Sequence, residues 1–478
     1  MKLRSIAYSI TGVLVLVSLM YSGDRSNVRG ISLARTFVVD SRNVDALGIN
    51  PANLSLDDRL PFTLALPSVG VRISSELINY DAYNNYFTGI PDPQNPGKRK
   101  QDPNGLTTTQ KNDLLGLLPD NGSTRADVEV TSIGMSIQLG KIGSLGFAMT
   151  DHIGTQLDIP KQYFKLFLFG FDSSGSNYNF NGTSASAWWW REMNFSYANK
   201  LPFSLPILSN TYFGVGFKVV RGYGVMLTDH YKGSLTNTIV SQNQYQVQAA
   251  FDFLTKRSGS PIFQADSGKT GPAFKGMSAF PDPAGKGTGF DVGLNGELGD
   301  KMRVAISLTD IGSISWDKNL VETYGSYNAT LTSPADAAQQ DSLKTGFKGS
   351  NRPGQSFSTP LPTKLRVGVA FQTKDMPIVH YIPGNMLMEI DYNQGLNNSL
   401  GNSTIPRVSV GTEWRLIPIL PLRTGITLGG GDQFRWAFGF GLDIWVMSID
   451  VGTENFGMLF SPKSFSMFSF AAGLRIRV

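Results

Sequence analysis

The residues best equipped for chemistry in this chain are charged side chains set at every second position. Glu389 and Asp391 alternate with Met386, Met388, Ile390 and Tyr392. Glu413 and Arg415 alternate with Val408, Val410, Thr412 and Trp414. Arg303, Arg366, Arg423, Arg435, Asp443, Asp450 and Arg475 follow the same rule. A period of two puts such charges on one face of a β-strand and apolar residues on the other. Both signs are mixed along this polar face. A selective ion pathway more often shows one sign in a ring. The mixture favours a lattice of arginine–carboxylate pairs inside a narrow enclosure.

Other chemistry finds little support. His152, His230 and His380 are scattered, with no metal-ligand spacing. Asp151-His152 is a candidate acid–base pair, but no serine partner emerges, and an enzyme is not expected. Gly429-Gly430-Gly431 precedes Asp432 as a hairpin tip; no helix follows to cradle a phosphate. The chain has no cysteine, so neither disulfides nor thiolate chemistry are available. No metal or cofactor is expected. A net charge of +5 over 478 residues is modest and does not imply nucleic acid.

The elements that must position these charges are strands. From Phe468 to Val478, Phe468, Phe470, Ala472, Leu474, Ile476 and Val478 share one face; Ser469, Ala471, Gly473, Arg475 and Arg477 share the other. The pattern fits a strand with one face on lipid and one on a lumen. The 52 glycines and 11% aromatics suit a barrel with a crowded interior and aromatic girdles. Beyond the N-terminus no segment approaches 18 consecutive apolar residues, which argues against membrane helices. Trp188-Trp189-Trp190 reads as part of an outer aromatic girdle in preference to a ligand platform. Trp414 and Trp445 fall at the inner girdle and Trp436 toward the outer end.

Parity tests the topology. With the C-terminus and the short turns periplasmic, the alternating segments close at about 14 strands, with 16 as the main rival count. Thr238 to Phe253 breaks parity as a spanning strand and is expected to be an extracellular extension. Short helices are expected at Thr107–Leu118 and Lys161–Phe169. Lys2, Arg4 and the apolar run Ile10–Met20 read as a secretory signal over residues 1–22. Residues 24–61 are too polar for a lipid-facing strand and form either a plug inside the barrel or a periplasmic tail. The barrel itself occupies 62–478.

The stretch ARTFVVDSRNVDALGINPANL at residues 34–54 resembles the N-terminal hatch of FadL-type outer-membrane barrels. Asp45 and Ala46 precede its motif, Asn50-Pro51-Ala52-Asn53-Leu54. Pro51 fixes its own φ and pushes Asn50 extended, and Asn side chains satisfy backbone groups within turns. The later run from Pro406 to Gly452 looks more like the PorV-type branch of the same superfamily. Two departures stand out: Asn53 replaces the glycine usual in FadL proteins, and the chain ends in Val478 rather than Phe or Trp.

The resemblance implies an all-β transmembrane antiparallel barrel in the outer membrane of a Gram-negative-type bacterium, with its N-terminal hatch in the lumen. In the FadL-like case it implies hydrophobic small molecules as ligands, besides outer-membrane lipid. In the PorV-like case it implies a non-transporting anchor that holds a secreted protein or secretion machinery through its extracellular loops.

Overall fold

The computed structural model describes residues 25–478, except 59, 96–98, 101–104, 172–175, 204–205, 242–243, 260–280, 300–301, 333–335, 373–382, 431–433 and 462–465. The expected signal at 1–22, His380, the turn residues Asp300 and Lys301, most of the 374–384 turn, and Gly431 with Asp432 lie outside the described residues.

Alternation in the sequence becomes a closed wall. The first strand, β1, has two pieces, Phe62–Ala65 and Ser68–Ser75, broken at Leu66-Pro67 because Pro67 cannot donate to a ladder. There follow β2 (Asn121–Gln138), β3 (Ser144–Pro160), β4 (Ser184–Lys200), β5 (Ser209–Ser241), β6 (Gln244–Gly259), β7 (Gly285–Leu298), β8 (Met302–Trp316) and β9 (Val321–Leu331). Then come β10 (Lys364–Gln372), β11 (Asn385–Gly395), β12 (Arg407–Arg415), β13 (Pro421–Gly429), β14 (Phe434–Ile444), β15 (Met447–Thr453) and β16 (Met467–Arg477). All except β6 and β9 form the wall, a closed antiparallel barrel of 14 strands. Closure is made by β16 on β1, with Thr63 opposite Arg477 and Val69 opposite Ala472.

The two remaining strands rise from the wall. β5 has 33 residues, against the ~9–11 that cross a membrane. Its lower part pairs with β7 up to Gly222; from Gly224 onward its partner is β6. β6 in turn pairs with β9, and β9 with Ser350–Pro353. This sheet stands at the end with the long connections, the extracellular end in barrels of this kind. It accounts for the expected extension at Thr238 to Phe253. Helices at Thr108–Leu117, capped by Thr107 and Gln110, and at Lys161–Phe169 lie at the same end, as expected. The helix at Ala337–Lys348 was not anticipated; Asp336 caps it.

The two faces of the wall differ as the period of two requires. Phe195, Phe217, Phe290, Phe440 and Phe470 are each more than 40% exposed on the outside. Their strand neighbours Asn194, Lys218, Asp291 and Ser469 are buried in the lumen. An exposed apolar belt around a closed barrel is the signature of a membrane wall, and bilayer-spanning barrels of this kind belong to outer membranes. Among the described residues no helix is long and apolar enough to cross a membrane. Trp445 is exposed at the inner turn, Trp414 donates to the Pro383 carbonyl there, and Trp436 stacks on Phe460 toward the outer end.

The tryptophan triplet corrects the sequence reading. Trp188, Trp189 and Trp190 are 0%, 6% and 3% exposed, so none of them faces lipid as a girdle residue would. Trp188 and Trp190 point into the lumen. Trp189 faces outward, but its indole N–H donates to Asp151 and its ring packs on Tyr223. The sequence reading missed that inward positions in the outer half of a barrel can be apolar.

Candidate functional site

The segment from Arg25 to Leu56 lies inside the ring of strands. It has little regular structure: one short helix, α1 (Val28–Ser32), and 3-10 turns at Asn43–Ala46 and Pro51–Ser55. Its backbone groups therefore need partners on the wall. Asp391 accepts from the amides of Phe37 (2.7 Å) and Val38 (2.9 Å), and Glu389 from Val39 (2.6 Å). Glu129 accepts from the Ser26 amide at 3.0 Å. Ser307 donates to the Ile49 carbonyl at 2.7 Å, and Gln138 to that of Leu56 at 2.8 Å. Glu389 and Asp391 thus bind plug amides, where the sequence reading had assigned them to ion pairs.

The Asn-Pro-Ala-Asn motif sits at the centre of this packing. Asn50 is extended (φ −151°, ψ 101°), as the following Pro51 demands, and Pro51 opens the 3-10 turn. The Asn50 side-chain oxygen accepts from the Ala52 amide (3.2 Å); its side-chain nitrogen donates to the carbonyls of Val38 and Leu294. Asn53 donates to the carbonyl of Val38 (2.9 Å) and to the Ser41 hydroxyl (2.8 Å), and accepts from Asn295 (2.7 Å). A glycine at 53 could make none of these side-chain bonds. Ala52 packs with Leu56 and Tyr212, and Ala46 with Leu47, Leu54, Ala148 and Ala198. Small residues on the wall make the room: a Cβ on Gly293 would collide with Asn50, and one on Gly214 with the backbone of Pro51 and Ala52.

Two ion clusters tie this plug to the wall. In the first, Arg29 meets Glu413 (3.2 Å) and Asp45 (3.6 Å); Arg423 bridges Glu413 and Asp450 (2.6 Å each); Arg475 pairs with Asp450 and Asp45. Arg415 extends it from Glu413 (2.8 Å) to Asp443 (3.0 Å) at the inner rim. In the second, Arg25 meets Glu192 (2.5 Å) and Asp310 (2.9 Å), while fully buried Lys218 lies between Asp310 (2.5 Å) and Asp291 (2.9 Å). A plug arginine, Arg35, also pairs with Glu454. Charges so deeply buried are tolerable only when paired and hydrogen-bonded.

Of the charges expected on the polar face, Glu413 pairs with both Arg415 and Arg423. Arg366 is buried and donates to Thr309 (2.7 Å). Arg303 lies at the inner rim with Glu297 (3.2 Å), and Arg435 lies toward the outer end, donating to the Phe434 carbonyl. The second cluster was missed, because its lysine stands among glycines and its acids on three other strands. Asp151 and His152 do not form a dyad. Adjacent on one strand, they face opposite ways: His152 reaches Glu129 (3.3 Å) and Glu192 (3.5 Å) in the lumen, Asp151 reaches Arg191 outside. Among the described residues no group of three or more His, Asp or Glu could hold a metal ion.

Outward of the second cluster the lumen turns apolar. Trp190 stacks on His152 at 5.4 Å between centroids and on Trp188 at 6.0 Å. With Trp316, Val220, Ile314 and Leu361 they form a buried apolar cluster between the plug and the extracellular sheet. A cavity of about 10 Å³ beside the plug, bounded by Arg29, Leu33, Phe37 and Glu389 among others, has room for about one water.

The fold defines an outer-membrane β-barrel of 14 strands. The chain belongs to the DUF5723 family, described as a family of unknown function, whose model matches residues 51–451. No curated protein matches it. Its fold is similar to the Ralstonia pickettii toluene transporter TbuX: 12% identity, 96% of this chain and 99% of that chain covered, TM-score 0.45. The Pseudomonas putida toluene transporter TodX matches at 12% identity over 94% and 97%, TM-score 0.41. A Pseudomonas aeruginosa FadL homologue matches at 12% over 95% and 98%, also with TM-score 0.41.

Proposed function

We propose that this barrel takes up hydrophobic small molecules from outside and that residues 24–61 are its hatch. The observation that carries the reading is the apolar cluster of Trp188, Trp190 and Trp316, inward-facing and directly outward of the plug. All three are buried (0%, 3% and 0% exposed), so a ligand would have to part them. They offer flat apolar surface to an aromatic or aliphatic ligand.

In this reading the conformation described is the closed one. A ligand would displace side chains in the tryptophan layer and then the plug. Asp45, Ala46, Asn50, Pro51, Ala52 and Asn53 would seat the hatch, and Glu389, Asp391, Glu413 and Arg423 would latch it.

The test is purification of the chain from native outer membranes with mass spectrometry of everything bound, followed by titration with toluene, read through tryptophan fluorescence. A stoichiometric hydrophobic molecule, or saturable quenching lost in Trp188→Ala, supports the reading. An empty barrel that ignores toluene and co-purifies with an exported protein overturns it in favour of a PorV-like anchor.

A further inference from the structure

The wall has a low point at β15. Its neighbours β14 and β16 each run eleven residues, while β15 runs seven. At ~3.3 Å per residue and a tilt of about 40°, β14 and β16 rise roughly 25 Å, the height of the apolar band in such barrels, and β15 only about 15 Å. Trp445, exposed at the turn below, marks the inner edge of that band. β15 therefore stops within the outer half of the band, and its pairing with β16 ends at Gly452 opposite Ala471.

The chain does not return at once into the wall. Glu454 turns inward to Arg35 of the plug, and the chain then crosses to the outside. A 3-10 turn at Phe456–Leu459 lays it over the outer surface of β14. A Cβ on Gly439 would meet Ser32 of the plug, so Gly439 faces the lumen and the alternate residues Trp436, Phe438 and Phe440 face outward. Phe456 stacks on Phe438 at 4.5 Å and meets Trp436 edge-on at 5.1 Å, while Phe460 stacks on Trp436 at 5.5 Å. Phe438 and Trp436 stand six and eight residues from Ile444 at the inner end of β14. The turn thus sits roughly 15–20 Å above the inner edge of the band, at the depth of the outer leaflet.

Its chemistry suits that depth. Residues 455–461 carry no charged side chain. Leu459 and Phe460 are 66% and 69% exposed, more than the belt phenylalanines, and they continue the belt through Trp436. Backbone that meets hydrocarbon must be satisfied within the protein. The amides of Glu454 and Asn455 donate to the hydroxyls of Ser469 and Thr453, and those of Met458, Phe460 and Ser461 donate to carbonyls within the turn. The Asn455 side chain donates to the Met467 carbonyl, on the stretch of β16 that β15 does not reach. We infer that residues 456–460 form a foot inserted into the outer leaflet beside β14, with the acyl chains of that leaflet as its partner. The foot fills out the low point with apolar side chains where β15 supplies no strand, and it is independent of what passes through the lumen.

The chain has no cysteine, so single cysteines can be spin-labelled without background. Leu459→Cys and Phe460→Cys are placed in the full chain and reconstituted into vesicles of phosphatidylethanolamine and phosphatidylglycerol. Relaxation of the label by oxygen, which concentrates in lipid, is compared with relaxation by a water-soluble nickel chelate. Phe440→Cys in the belt and Ile239→Cys on the extracellular part of β5 supply the lipid and water references. Both foot labels should be relaxed mainly by oxygen, as at Phe440→Cys. Leu459 is outside the aromatic stack, so its variant remains decisive if Phe460→Cys fails to fold. Relaxation by the nickel chelate as strong as at Ile239→Cys would overturn the assignment. So would shielding from both reagents, which would mean that a second copy or another protein covers the turn.

Discussion

Arg475, on the last strand of the barrel, donates to the carboxylate of Asp45, in the plug, across 430 residues of chain. Arg475 also holds Asp450 on the neighbouring strand, so one guanidinium fastens the seam of the wall to the plug. Asp45→Ala should loosen the plug more than the wall, because Arg475 keeps its second partner. The cost should be about 3 kcal/mol, the low end for a broken buried pair. Limited proteolysis of the folded barrel checks this: cleavage within residues 25–56 should rise while the barrel keeps its compact migration on unheated gels.

Lys218 is the critical member of the second cluster. Replacing it with Met leaves Asp291 and Asp310 facing each other, with Arg25 alone to offset both. Thermal unfolding should show a loss of about 3–5 kcal/mol. The double variant Lys218→Met/Asp291→Asn should recover a clear part of it; strict additivity of the two changes would argue against coupling between them.

Gly293→Ala places a Cβ where Asn50 sits. The expected penalty is about 1–3 kcal/mol of overpacking, borne by the plug. Adding Asn50→Gly should relieve it. If proteolysis of residues 25–56 is unchanged in Gly293→Ala, the plug does not bear on this wall position.

Ala34 and Arg35 both have positive φ, 54° and 63°, just after α1. Side chains rarely adopt this region, and each instance stores roughly 1 kcal/mol or more. Ala34→Gly should therefore protect the plug, seen as slower amide hydrogen exchange over residues 28–36. Faster exchange would mean that the Ala34 methyl contributes more packing than strain.

What was legible in the sequence follows from where each signal lives. Strand alternation is local, and it located the wall, the break at Pro67 and the polar face bearing Glu413, Arg415 and Arg423. The strand parity placed Thr238 to Phe253 outside the wall because an odd strand cannot span and return. The second ion cluster was hidden, since Arg25, Glu192, Lys218, Asp291 and Asp310 meet only after five separate segments converge. The tryptophan triplet misled for a physical reason: interfacial preference is an average, and ordinary strand alternation turns Trp188 and Trp190 into the lumen and Trp189 the other way. Asn53 was read as a departure from the hatch pattern, and its side chain binds four plug or wall groups: Val38, Val39, Ser41 and Asn295.

The carboxylates of Glu389 and Asp391 that hold the amides of Phe37, Val38 and Val39 set an order of events in biogenesis. The plug leaves the ribosome first, yet these partners, with Glu413, Asp450 and Arg475, lie on the last third of the chain. Contacts so distant in sequence form late, because the intervening loop must first be closed. Until then the plug's polar backbone has few partners and stays hydrated. Its locking therefore coincides with completion of the wall, and a barrel that stalls before its final strands would expose an unfastened N-terminus to periplasmic proteases. Fastening of the N-terminal segment thus comes last, although that segment is made before the wall that holds it.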